Sequence, residues 1–245
     1  MPLPKIYCEE ELLLSRDCDL GGLWRPSAIL TAMQEVAGAH SHILGCGRET
    51  LVEQGIVWVL TRCEVRMDRE AHLGETVSIE TFPMPLRRWF FPRYFVFRDA
   101  AGEALGAAST LWVLFNLEKR CMVAPGEVAK AIPDNSDLTP PLGVPGPVPR
   151  LTGEAVRSVR APVYSELDVN GHVNNARYAD WLCDALGLET MRDLRNARAR
   201  VVGQHLEDAH LQIVHKGPSF ASVRFRRAFP VRRRSQSGLC LRARR

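Results

Sequence analysis

No run in this sequence is long enough to cross a bilayer as a helix. Its longest apolar stretches, residues 56–60 and 111–115, fall far short of the roughly 20 residues such a helix requires. The first ten residues, Met-Pro-Leu-Pro-Lys-Ile-Tyr-Cys-Glu-Glu, lack the basic segment and apolar stretch of a secretory signal, and they are too acidic for a transit peptide. A soluble, cytoplasmic protein is therefore expected. The seven cysteines are odd in number, scattered and never spaced as Cys-x-x-Cys, which argues against a disulfide framework or a zinc knuckle. Gly-x-Gly-x-x-Gly and Walker patterns are missing, so nucleotide cofactors are not expected. Ser15, Ser41 and Ser109 have no Gly-x-Ser-x-Gly elbow around them, which removes that route to a serine hydrolase. His40-Ser41-His42 supplies two imidazoles, but alternate helix positions point apart and no Cys, Asp or Glu cluster completes a metal shell. Neither a metal nor an organic cofactor is expected.

What is present is the composition of a packed globular protein. With 46% hydrophobic and 24% charged residues over 245 positions, the chain can bury one large core or split into two domains of ordinary size. Charge is uneven along it. Residues 191–245 hold 14 Arg or Lys against 3 Asp or Glu, a net of +11, which leaves −7 on the first 190. Such an end suits phosphates, nucleic acid or an acidic partner protein, and it equally suits a solvated tail. Nucleic-acid binding would need aromatics interleaved on a recognisable module, and none is seen.

Pro125, Pro133, Pro140, Pro141, Pro145, Pro147 and Pro149, with glycines between them, break helices and cannot sit in a central strand. Residues 126–150 therefore read as a linker between a first unit, residues 1–125, and a second, residues 151–245. In the first unit Pro26 suits a helix's first position, and Ile29, Leu30, Met33, Val36, Ala37 and His40 recur at helical steps, predicting an amphipathic helix over 26–44. Four segments rich in Val, Ile, Phe, Trp and Thr follow, at 56–67, 76–82, 89–97 and 104–116, separated by turn signals. One helix and a run of antiparallel strands give an α+β unit whose sheet buries one face against the helix. The second unit opens alike, with a predicted strand at 156–164 and a helix at 174–188. Segments 211–215 and 221–225 also alternate like strands.

The two units align directly. Asp19-Leu20-Gly21-Gly22-Leu23-Trp24 precedes the first helix as Asp168-Val169-Asn170-Gly171-His172-Val173 precedes the second, 149 positions later, which signals a duplicated domain. Gly21 and Leu23 stand where the second copy has Asn170 and His172, and they cannot move a proton. Chemistry is expected in the second copy. There, Asp168, Asn170 and His172 alternate in an extended loop and can project to one side. Free backbone N–H groups of the helix that follows, near Asn174 and Asn175, could hold an oxyanion. Histidine exchanges protons near neutral pH and is oriented by a nearby carboxylate or amide, so His172 reads as general base, Asp168 as its orienting carboxylate, and Asn170 as the group that holds carbonyl or water. A bland alternative has Asp168, Asn170 and Asn174 simply capping a turn and a helix.

The order Asp168-x-Asn170-x-His172-Val173-Asn174-Asn175-x-x-Tyr178-x-x-Trp181 resembles the signature of plant and bacterial acyl-acyl-carrier-protein thioesterases. Met33-Gln34-Glu35-Val36-Ala37, Trp58-Val59-Leu60-Thr61-Arg62 and Leu111-Trp112-Val113-Leu114 are similar to segments of that family in the same order. The resemblance spans roughly residues 5–190. It implies a tandem hot-dog fold, hydrolysis of fatty acyl thioesters of acyl carrier protein, no cofactor, and an acyl-chain pocket in the first unit, with Trp58 the leading candidate to line it. Tyr178 and Trp181 read as core. Acyl-coenzyme A hydrolysis and non-catalytic acyl binding are the alternatives, and a homodimer is left open. The family's further catalytic glutamate or cysteine, on a later strand of the second unit, has no counterpart we can assign, Glu207 included. The Arg-rich end is what a GC-rich message read in a shifted frame would encode.

Overall fold

The computed structural model describes residues 3–147, 155–156, 161–169, 171–189, 191, 208–214, 222–228 and 238–239. Strand β1 (Tyr7–Leu12) leads to helix α1 (Pro26–Ile43), short helix α2 (Arg48–Val52), and strands β2 (Ile56–Met67), β3 (Thr76–Pro83), β4 (Phe91–Arg98), β5 (Ala104–Asn116) and β6 (Cys121–Met122). Neighbours in the order β1-β3-β4-β5-β2 are all antiparallel.

Helix α1 starts where proline's fixed φ and missing N–H cost nothing, at N1. It buries the stripe predicted for it, Ile29, Leu30, Met33, Val36, Ala37 and His40. The apolar members of that stripe share one core with Val65, Val77, Ile79, Phe95, Phe97, Leu105 and Ala108 of the sheet. Each fully buried side chain of this size contributes roughly 1.5–3 kcal/mol, so the helix-on-sheet contact is the main source of stability in this unit. Strand β4 begins at Phe91, two residues later than expected. Arg88, at φ 58°, turns the chain, and Arg87 and Phe90 exchange backbone hydrogen bonds across that turn.

Residues 126–147 do not hang free. Helix α3 (Val128–Ala131) lies within them, and the fully buried Asn135 donates from Nδ2 to the carbonyls of Lys5, at 3.0 Å, and Pro83, at 2.7 Å. Lys5 and Asp137 add an ion pair at 2.7 Å. The proline-rich stretch is thus laid along the first unit.

Beyond it, β7 (Ala155–Val156) pairs in parallel with β10 (Gly238–Leu239). The strand predicted over 156–164 is not continued on its far side, where Tyr164–Glu166 forms a 3₁₀ turn. Pro162 offers no ladder donor, and the Glu166 carboxylate takes the Val163 N–H at 3.0 Å, a local bond that competes with strand pairing. Helix α4 (Asn175–Leu186) follows, ending at Gly187 with φ 79°. Its Ala176, Ala179 and Leu182 join the same core as α1. Strands β8 (Asp208–Val214) and β9 (Ser222–Ala228) pair antiparallel, and β9 runs parallel beside β2. Among the described residues no helix is long and apolar enough to cross a membrane.

Candidate active site

The loop into α4 is a closed turn. Asp168 donates its N–H to the His172 carbonyl at 2.8 Å, Gly171 donates to the Asp168 carbonyl at 3.0 Å, and His172 N–H returns to Asp168 Oδ1 at 3.2 Å. Gly171 sits at φ 71°, where a side chain would be strained. Below the turn, Asn174 donates its N–H to the Glu166 carbonyl at 2.9 Å, while its side chain caps α4 by accepting from Ala176 N–H at 2.9 Å. The buried Glu166 carboxylate also accepts from Trp181 Nε1 at 2.7 Å, which ties the loop to the helix it precedes.

The loop into α1 repeats this geometry 149 positions earlier. Asp19 N–H meets the Leu23 carbonyl at 2.8 Å, Gly22 N–H the Asp19 carbonyl at 2.9 Å, and Leu23 N–H Asp19 Oδ1 at 3.0 Å. Gly22 has φ 72°. Arg25 donates to the Asp17 carbonyl as Asn174 does to that of Glu166, and Leu14 N–H meets Asp17 Oδ2 as Val163 N–H meets Glu166 Oε2. The duplication is one of backbone conformation.

A cavity of about 290 Å³ opens beside the second loop. Asp168, Asn174 and Asn175 line it together with Gln34 and Glu35 of α1. Trp58, Phe91 and Trp112 form an apolar wall, in which Trp58 packs edge-on to Phe91 at 4.8 Å and donates Nε1–H to the Cys46 carbonyl at 2.9 Å. Ile132, from the proline-rich stretch, completes that wall. Trp89, 44% exposed, is not part of it.

The structure thus brings together four of the residues singled out in the sequence, Asp168, Asn174, Asn175 and Trp58. His172 belongs to the same turn, yet its side chain is exposed and is absent from the cavity lining. Asn170 lies outside the described residues. The donors at the start of α4 also need revision. The Asn174 N–H is taken by Glu166, and those of Ala176 and Arg177 by Asn174 itself. Among the described residues, the Asn175 N–H is the donor of that first turn left without an acceptor.

Two further lining residues were not singled out. Arg93, 6% exposed, donates from Nη1 to His40 Nδ1 at 3.1 Å and to Thr81 Oγ1 at 3.2 Å, and from Nη2 to Ser41 Oγ at 3.3 Å. Ser41 and Arg93 both face the cavity. Burial, reinforced by the neighbouring guanidinium, pushes His40 down to about 4, so its ring is neutral and accepts at Nδ1 while Nε2–H donates to the Pro4 carbonyl at 3.0 Å. The only sign in the sequence was a charge at the alternating positions Phe91, Arg93, Phe95 and Phe97 of one strand face.

Residues 4–132 match the acyl-ACP thioesterase N-terminal domain, and residues 152–205 match the acyl-ACP thioesterase C-terminal domain. The chain belongs to the acyl-ACP thioesterase family. It is 31% identical, over 170 residues, to a chloroplastic palmitoyl-acyl carrier protein thioesterase of Arabidopsis thaliana, covering 64% of this chain and 41% of that protein. The chain therefore spans less than half the length of that relative. Among solved structures it resembles an acyl-ACP thioesterase from Bacteroides thetaiotaomicron, with a TM-score of 0.67, 26% identity and 77% and 76% of the two chains covered. It also resembles a 12:0-ACP thioesterase from Umbellularia californica, at 0.62 and 23% with 75% of each covered, a likeness of fold. The sheet wrapped on α1, the repeated loop and these relatives define a tandem hot-dog fold of the α+β class.

Proposed function

We propose that this chain hydrolyses fatty acyl thioesters of acyl carrier protein to the free fatty acid and the carrier thiol. One observation carries the reading: a single cavity runs between the aromatic wall of the first unit and the Asp168 turn of the second. An acyl chain resting on Trp58, Phe91 and Trp112 would leave its thioester near Asp168 and the Asn175 N–H. Water adds to the carbonyl carbon and the Asn175 N–H receives the oxyanion. His172, held in the turn by both backbone bonds to Asp168, takes the proton from water and later returns it to the departing sulfur. Asp168 orients the water or the imidazole, and Asn170 holds the carbonyl or the water.

The carrier protein is preferred over coenzyme A as thiol donor because residues 191–245 bear a net +11, which suits an acidic partner. The domain organisation we adopt has a first unit at 1–125, a linker at 126–150 and a second unit at 151–245, and the reaction is assigned to the cytoplasm. Steady-state thiol release from matched acyl-carrier-protein and acyl-coenzyme A substrates tests the reading, with the carrier protein expected to give the higher kcat/KM. Absence of release from both would overturn it. The exposure of His172 favours a second reading, acyl binding without turnover, in which His172→Ala leaves ligand affinity unchanged and there is no turnover to lose.

A further inference from the structure

We propose that the part of the cavity lined by Arg93 and Ser41 is a subsite for a carboxylate carried by the bound chain. The inference rests on the acyl-binding role given to the cavity. An unpaired charge buried against apolar walls is costly, and buried guanidinium groups ordinarily face an acidic partner. Arg93 has none among the described residues: its three side-chain partners, His40, Thr81 and Ser41, are neutral. Burial lowers it only to about 10, so it keeps its charge at neutral pH, and His40, already an acceptor to it, supplies no compensating anion.

The arrangement is built rather than incidental. His40 is fixed by the Pro4 carbonyl, and Thr81 by its own bond to the Tyr94 carbonyl at 3.0 Å, so both hold the guanidinium in one orientation. Ser41 accepts from Arg93 and retains a hydroxyl proton for a ligand. A planar fork of donors beside a hydroxyl matches a carboxylate better than a methyl terminus. Glu35 and Asp168 also line the cavity, and neither bonds Arg93. With the thioester at Asp168, a group that meets Arg93 belongs to the chain and not to the thioester, so the substrate class is an acyl thioester whose chain bears a second, free carboxylate.

The test compares, on the full-length protein, binding of a medium-chain fatty acid methyl ester with that of the monomethyl ester of the dicarboxylic acid of equal length, by titration calorimetry. The wild type is expected to bind the carboxylate-bearing ester about tenfold or more tightly. Arg93→Met is expected to bring the ratio to about one, and Arg93→Lys to keep part of it. Equal binding of the two esters by the wild type overturns the subsite and leaves Arg93 as a brace between α1 and the sheet. Should Arg93→Met not fold, as read by thermal melting, the wild-type ratio decides alone. Thiol release is read separately from coenzyme A thioesters of the same two acyl groups. Selective binding without release from these or from the matched acyl-carrier-protein thioesters keeps the subsite and removes the hydrolytic reading, and release without selectivity does the reverse.

Discussion

The loops into α1 and α4 share one hydrogen-bond pattern among their described residues, yet they carry different side chains. In the first copy Leu23 occupies the place of His172, Gly21 that of Asn170, and Pro26 that of Asn175. Proline at the first helical position has no N–H, so the donor that α4 leaves open at Asn175 does not exist on α1. Arg25, in the place of Asn174, spends its Nε on the Cys18 carbonyl at 3.1 Å and braces its own loop. The comparison teaches that the turn itself is scaffold: both copies need a carboxylate that accepts backbone N–H bonds and a glycine at positive φ. Only the second adds groups able to move protons or hold charge, and only the second puts its carboxylate on the cavity.

The sharpest way to break this contrast is to remove the two equivalent carboxylates in turn. Asp168→Ala is expected to lower kcat on the order of a hundredfold or more. Asp19→Ala should leave kcat within a few-fold while costing about 1 kcal/mol in stability, because its carboxylate satisfies the Gly21 and Leu23 N–H groups and does not line the cavity. Equal losses of thiol release would show that both act through the scaffold. His172→Ala belongs at the same scale, with kcat reduced about a hundredfold and KM little changed.

A smaller effect follows from giving the second helix the first helix's proline. Asn174 has φ −59° and ψ 137°, which is the backbone a residue before proline prefers, so Asn175→Pro should fold with little penalty. Turnover should nonetheless fall about tenfold to a hundredfold, because the open N–H is lost. A variant that melts normally and turns over normally would remove this donor from the mechanism. Next in size is Trp181→Phe, which takes from the buried Glu166 the indole donor at 2.7 Å. Denaturant unfolding should read a loss of about 1–3 kcal/mol. The first copy has Ala32 at the matching position, and its Asp17 instead meets Arg16 at 3.6 Å.

Local pattern reached different depths in the two units. Strands Ile56–Met67 and Ala104–Asn116 were legible to their ends because β-branched and aromatic residues run between clear turn signals. Helix α1 was legible from its stripe and its proline. The Asp168 loop was legible as a candidate because Asn170 and His172 have no polar counterpart in the first copy. What the sequence hid depends on partners far along the chain. The Asn174 N–H is committed by a bond eight residues back, which shifts the open donor to Asn175. Arg93 is buried by His40 and Ser41, about fifty positions away on another element. Residues 126–147, read as a tether from their prolines, are held down by Asn135, whose anchoring carbonyls at Lys5 and Pro83 no local pattern reveals.

The smallest effect comes from the buried histidine of the first unit. His40 is pushed down to about 4 by burial first and by Arg93 second, with the Pro4 carbonyl opposing. In the unfolded chain it titrates near 6.5. Between those values the unfolded state binds more protons than the folded one, so stability is full above about pH 6.5 and falls as pH drops toward 4. The loss is on the order of 1–3 kcal/mol. Unfolding in denaturant from pH 7 to 4, on wild type and His40→Gln, measures it, because glutamine keeps a polar group between Arg93 and Pro4 without titrating. The wild type should lose more stability than the variant across that window, and parallel curves would show that the His40 ring is not held neutral by its burial.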